Sequence, residues 1–290
     1  NRMKLALKIG IALSLLSITT SFAQQDPNYT LYIFNMNLIN PAYAGANGTT
    51  DVGINVRSQW ANVKGAPETQ SFIFGTALGK NVGVGLSVLS DKTFIERQTS
   101  IAADFSYKIS LSDAHELFFG LKAGLNSYDA NTDGLVTYGI QADPNLMNLN
   151  GRFNPNFGVG VHLRHDAYFV SLSMPKFLSN DRLEDEEGIA RTGADRQHIY
   201  LAGGTDVTLA NGMVFKPTVL FRYVDAAPLS VDLTARLAFT ESFELGAAYR
   251  YDESFSGLAI FNVSKVLQIG YAYEFANSSA VRNIDNGTHE

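Results

Sequence analysis

From about residue 51 onward the chain alternates apolar and polar positions in runs of about ten residues, each ended by turn-forming residues. In 51–60, Val52, Ile54, Val56 and Trp60 share one face, and Asp51, Gly53, Asn55, Arg57 and Gln59 share the other. The same period predicts strands over 69–78, 82–90, 97–109, 116–128, 156–165, 167–175, 197–208, 213–223, 229–239, 243–251, 255–263 and 267–275. Ile101, Ala103, Phe105 and Tyr107 alternate with Ala102, Asp104, Ser106 and Lys108, and Leu117, Phe119, Leu121 and Ala123 with Glu116, Gly120, Lys122 and Gly124. Alternation does not decide the faces of 69–78 and 255–263. A chain of such strands, each about ten residues long, predicts an all-β fold: a transmembrane up-and-down antiparallel β-barrel of about fourteen strands.

The connections sort by parity. Alternate ones are tight: Gly79-Lys80-Asn81, His165-Asp166, Ala210-Asn211-Gly212, Thr240-Glu241-Ser242 and Ser264-Lys265-Val266. Those between them are often long: 129–155, 176–196 and 277–287. Short turns at one rim and long loops at the other are the outer-membrane pattern, short periplasmic and long extracellular. A soluble β-sandwich has no reason to segregate loop length this way. The strands above number thirteen, an odd count for a bacterial barrel. Gly287-Thr288-His289-Glu290 reads as the opening of a fourteenth strand without an aromatic end, so a truncated last strand is expected. An unpaired seam in lipid would leave costly unsatisfied backbone groups.

Composition narrows the compartment. Arg2, Lys4 and Lys8, the apolar stretch 9–18 and Ser21-Phe22-Ala23 read as a signal peptide over 1–23, with the mature barrel domain over 24–290. The apolar stretch is short of the ~20 residues of a spanning helix. The chain has no cysteine, which removes disulfide frameworks and thiolate metal sites. A net charge of −6 argues against a nucleic-acid surface. The polar faces carry both signs: Arg57, Asp104, Lys108, Glu116, Lys122, Arg164, Lys216, Arg222, Asp232, Arg236, Glu244, Arg250 and Glu274. In a barrel these line the lumen, which fits a plugged, cross-linked interior better than an open one. Tyr107, Tyr128, Tyr168, Tyr223, Tyr249 and Tyr251 are expected in the interfacial girdles.

Candidate chemistry is sparse. A nucleophilic site needs a serine within reach of a histidine base. His162 is expected to face the lumen and His115 to sit in a turn, and no serine stands in a G-x-S-x-G context. Asp129, Asn131 and Asp133 precede Gly134 as the oxygen ligands of a calcium loop would, but Ile140 stands where the bidentate Glu belongs. An Asx-rich turn explains them as well. Calcium is thus a weak candidate, and no other cofactor is indicated. Glu184-Asp185-Glu186-Glu187 reads as a solvated loop tip.

Residues 24–50 do not alternate. They are rich in aromatics, Asn and Pro, too polar to span and too aromatic for a free tail. They read as a plug-like segment, either inside the lumen or packed on the barrel floor. Tyr32, Phe34, Asn40, Pro41, Tyr43 and Gly45 are the residues expected to hold it, with Trp60 nearby.

Gln25-Asp26-Pro27, Tyr32, Phe34-Asn35 and Asn40-Pro41-Ala42-Tyr43-Ala44-Gly45 resemble the PorP/SprF family, as do Arg57-Ser58-Gln59-Trp60, Gly65-Ala66-Pro67, Arg222-Tyr223-Val224, Tyr249-Arg250 and Gly287-Thr288-His289-Glu290. The likeness covers essentially the whole mature chain. It implies an outer-membrane component of the type IX secretion system of Bacteroidetes, working with other components of that system. It also implies a non-enzymatic role: receiving or anchoring the C-terminal domain of a secreted cargo or adhesin, some of which serve gliding motility. The residues by themselves give only a barrel in a lipid bilayer, and leave open a passive porin or solute transporter.

Overall fold

A computed structural model describes residues 26–131, 151, 153–179, 181–183, 192–194, 196–225, 227–277 and 287–290. The expected signal peptide, Asp133 and the Glu184–Glu187 run lie outside the described residues, as does most of the loops 129–155 and 277–287.

The strands are β1 (Asp51–Ser58), β2 (Glu68–Leu78), β3 (Val82–Thr93), β4 (Glu96–Ser110), β5 (His115–Ala130), β6 (Asn154–His165) and β7 (Tyr168–Met174), followed by β8 (His198–Thr205), β9 (Val214–Val224), β10 (Ser230–Thr240), β11 (Phe243–Arg250), β12 (Ser254–Asn262), β13 (Gln268–Ala276) and β14 (Thr288–His289). Each pairs antiparallel with its sequence neighbour, and β14 returns to β1, closing a fourteen-strand up-and-down barrel. A short extra strand, Val207–Thr208, lies against the start of β9. Among the described residues no helix is long and apolar enough to cross a membrane.

The odd count resolves at the closure. β14 is two residues long and bridges both edges, with Ser58 opposite His289 on one side and Tyr273 opposite His289 on the other. Glu290 continues the ladder, exchanging backbone hydrogen bonds with Ala272. Towards the short-turn rim, β1 and β13 border a cleft lined by Val52, Ile54, Val56, Leu267 and Gly270.

Burial is inverted relative to a soluble protein. Ile54, Leu121, Leu233, Leu245 and Ile269 are exposed on the outside, while Arg57, Asp104, Ser106, Lys122, His162, Arg222 and Glu244 are buried inside. This is the sorting a lipid-facing barrel requires. The two strands of undecided face also resolve. In β2, Ser71, Ile73 and Gly75 point inward; in β12, Ser256, Leu258 and Ile260 do. Their inner faces are partly apolar, and Leu258 packs against Leu31 and Phe34.

Several expectations need correction. Tyr128 does not join a girdle: it shares the parity of Phe118 and Lys122 on β5 and is buried. Tyr107, Tyr168, Tyr223 and Tyr251 are exposed as expected, and Tyr249 is half-buried. His115 opens β5 rather than lying in a turn. β1 stops at Ser58, and Trp60 sits in the following turn with a φ of 46°. The loop 176–196 contains a small hairpin, Asp181–Leu183 against Thr192–Ala194. Tight connections also occur at the long-loop rim, around Phe94 and at Tyr251-Asp252-Glu253.

Candidate functional site

Residues 26–50 lie against the inward faces of the strands. The local sequence allows only short helical turns: Tyr32–Phe34, Met36–Ile39 and Pro41–Tyr43. Asn40 has an extended backbone, so it ends one turn and caps the next, accepting a hydrogen bond from Ala42 N at 2.9 Å, with Pro41 at the first helical position. Gly45 and Gly48, with φ of 68° and 73°, then turn the chain into β1, a geometry glycine adopts without strain.

One side of this segment makes the apolar core. Tyr29, Tyr32, Met36 and Ile39 pack on Tyr200, Ala202 and Leu220. Leu31 packs on Leu258 and Ala272, with Phe34 alongside. Ala42 and Ala46 pack on Phe118, where Tyr43 also meets the His162 ring edge-on at 5.3 Å. The guanidinium of Arg236 lies 5.2 Å from the Phe34 ring centre.

The polar atoms are matched in turn. Asn40 is fully buried and donates to Val161 O at 3.1 Å and to Ser171 Oγ at 2.5 Å. Ser173 Oγ donates to Ile39 O and Ser106 Oγ to Ala44 O, both at 2.6 Å. Lys122 Nζ donates to Asn37 O at 3.0 Å while pairing with Asp104 at 2.8 Å. Arg164 donates to Ala46 O. Buried backbone carbonyls need such partners, and here inward Ser, Lys and Arg side chains supply them.

Close approach is made possible by inward glycines. A Cβ on Gly83 would collide with Ala44 O, one on Gly120 with Ala42 N, and one on Gly160 with Asn40 Oδ1. These three strand positions form a socket for 40–44. The alternation along the strands marks them only as small residues on a polar face, so sequence reasoning missed them. It also missed Ser106, Ser171 and Ser173. Their only signal is that small residues recur at inward positions on β3 to β7.

Towards the long-loop rim the segment meets an ion cluster. Arg57 pairs with Glu274 and Glu290, each at 3.0 Å, and donates to Thr30 Oγ1 at 3.1 Å. Glu290 also accepts from the backbone N–H of Thr30 and Leu31 and from Asn55. Arg250 links Asp232 at 2.6 Å to Glu274 at 3.5 Å. Elsewhere on the inner wall Glu244 on β11 pairs with Arg236 on the adjacent β10 at 3.0 Å and reaches Lys216 on β9 at 2.6 Å, and Lys108 pairs with Glu116 on the neighbouring strand at 2.7 Å.

Of the residues expected to hold the segment, Tyr32, Phe34, Asn40, Pro41, Tyr43 and Gly45 lie in the stretch packed against inward-facing strand residues. Trp60 does not. It sits at the long-loop rim, its backbone N–H donating to Thr288 Oγ1 at 3.3 Å. Asp129 Oδ1 accepts from Gly151 N at 2.9 Å, and Asn131 N donates to Ile95 O at 2.9 Å. Among the described residues no group of three acidic or histidine side chains is placed to hold a metal. Ser171 stands opposite His162 in the ladder, and its Oγ accepts from Asn40 Nδ2 at 2.5 Å.

The fold defines a class: a closed, antiparallel, up-and-down β-barrel of fourteen strands with apolar side chains outside and polar ones inside. Comparison with known families is specific. The profile of the family described as type IX secretion system membrane protein PorP/SprF matches residues 21–290, and the chain belongs to that family. No curated protein matches the chain. It is therefore a type IX secretion membrane component with a β-barrel fold that fits the outer membrane.

Proposed function

We propose that the protein is a non-enzymatic accessory of type IX secretion in which residues 24–50 plug the barrel, residues 1–23 being removed on export. Its long-loop rim faces the outside and receives or anchors the C-terminal domain of a secreted cargo or adhesin. One observation carries the reading: Asn40, Ala42 and Ala44 are each fully buried against the inner wall. A barrel filled to that degree is a poor conduit for solutes, and its rim is the surface left for partners. Family membership supplies the secretion context.

The test is a pull-down of the tagged protein from detergent-solubilised outer membranes, with mass spectrometry of what stays bound. The expected result is a large secreted protein retained through its C-terminal domain. A protein that comes down alone, and conducts ions in a planar bilayer, would be a porin, and the reading would be wrong.

A further inference from the structure

The direction in which residues 26–50 run through the barrel has a topological consequence. β1 starts at Asp51 beside the Gly79-Lys80-Asn81 turn and ends at Ser58 next to β14, at the rim carrying the long loops. Ala46, just before β1, is held by Arg164, one residue from the tight turn after β6. At the other end, Asp26 pairs with Lys176 Nζ at 2.8 Å, and Lys176 follows the end of β7, where the loop 176–196 begins. The carboxylate of Asp26 also lies 3.9 Å from His198 Nδ1 at the start of β8, on the far side of that loop. Between them, Thr30 is held by Arg57 and Glu274, both in the half of the wall nearer the long loops.

The chain therefore enters the lumen at the long-loop rim, descends to the short-turn rim, and only then turns into β1. The twenty steps from 26 to 46 suffice even at the ~1.5 Å per residue of helical chain to cross a lipid-facing band about 25 Å tall. The geometry points to a mature N-terminus on the outer face of the membrane, beside the loop 176–196, so that the chain's first residues belong to the partner-facing surface. This rests on the proposed reading that the long loops face outward. A plug entering from the periplasmic side would instead place Asp26 among the tight turns.

The experiment inserts one short epitope at three places in separate full-length proteins: between Gln25 and Asp26, between Val63 and Lys64 at the long-loop rim, and between Lys80 and Asn81 at the short-turn rim. Antibody, which cannot cross the outer membrane, is added to intact and to permeabilised cells. The first two epitopes should be bound on intact cells with undiminished signal, and the third only after permeabilisation. An epitope at 25/26 hidden on intact cells while that at 63/64 is bound would overturn the proposal and leave the orientation standing. Binding of the 80/81 epitope alone on intact cells would overturn the orientation, and the proposal with it. Should an insertion prevent assembly, Gln25→Cys, Lys64→Cys and Lys80→Cys replace it, read with a large polymer-linked maleimide. The chain has no other cysteine, so each label is unique.

Discussion

Asn40→Ala is the sharpest test of how the segment is held. Asn40 is fully buried, and its amide makes three hydrogen bonds: to Val161 O, to Ser171 Oγ and from Ala42 N. Alanine removes all three. It leaves Ala42 N–H and the Ser171 hydroxyl buried without these partners, since both residues lie almost wholly out of solvent. An unsatisfied buried polar group costs about 1–3 kcal/mol, so two amount to ~3 kcal/mol at the lower middle of that range. The barrel ladder is untouched, and the penalty falls on the balance between seated and released segment. That corresponds to roughly a 150-fold larger released fraction. The assay is limited proteolysis of the folded protein in detergent, reading cleavage within 26–50 by mass spectrometry. When opening is fast relative to cleavage, the rate tracks the released fraction. Asn47→Ala, at an exposed position of the same segment, is the control and should cleave like the wild type. If Asn40→Ala runs as a folded barrel on an unboiled gel and its segment is cleaved no faster than wild type, the reasoning about these hydrogen bonds is wrong.

Gly120→Val should expel 40–44 by overlap with Ala42, raising conductance in a planar bilayer above wild type; an unchanged trace would show that the socket is not what seats the segment. Arg57→Ala strips the shared cation from Glu274 and Glu290, and breaking a buried pair costs about 3–5 kcal/mol. It should lower the temperature at which the barrel loses its fast-migrating form on a gel. Leu233→Arg places a charge on the outer face of β10 and should cost ~2–4 kcal/mol near the bilayer midplane, seen as reduced recovery of folded barrel in membranes. Asp129→Asn combined with Asp133→Asn should leave loop proteolysis unchanged with calcium or chelator present. A calcium-dependent protection that the double variant loses would instead establish the ion.

Legibility varied with the physics at each position. The outer face was plain: lipid demands apolar residues at every second place, so Ile101, Phe105, Leu121 and Leu233 declare themselves. The inner face was harder, because its partner is protein in some places and water or charge in others. On β2 and β12 the alternation blurred at Ile73, Leu258 and Ile260, which face Phe34 and Leu31 rather than solvent. At Tyr128 an aromatic near a strand end suits both a girdle and a packed interior, and only its parity with Lys122 decides. The Asn40-Pro41-Ala42-Tyr43-Ala44-Gly45 stretch stood out by composition. The glycines receiving it did not, since a small residue on a polar face has many possible causes.

What the amino-acid sequence determined alone was the architecture: strand number, the tight-turn rim and the lipid face. These follow from a period of two and from turn chemistry, which are local. What only the tertiary structure decided was which inward residues meet the N-terminal segment, and in which direction that segment runs. Arg57 finds Glu274 and Glu290 more than two hundred residues away, and Asp26 finds Lys176. The first two pairings depend on barrel closure, which brings the first strand to the last, and the third on the path of residues 26–50 along the inner wall; no local pattern carries that information.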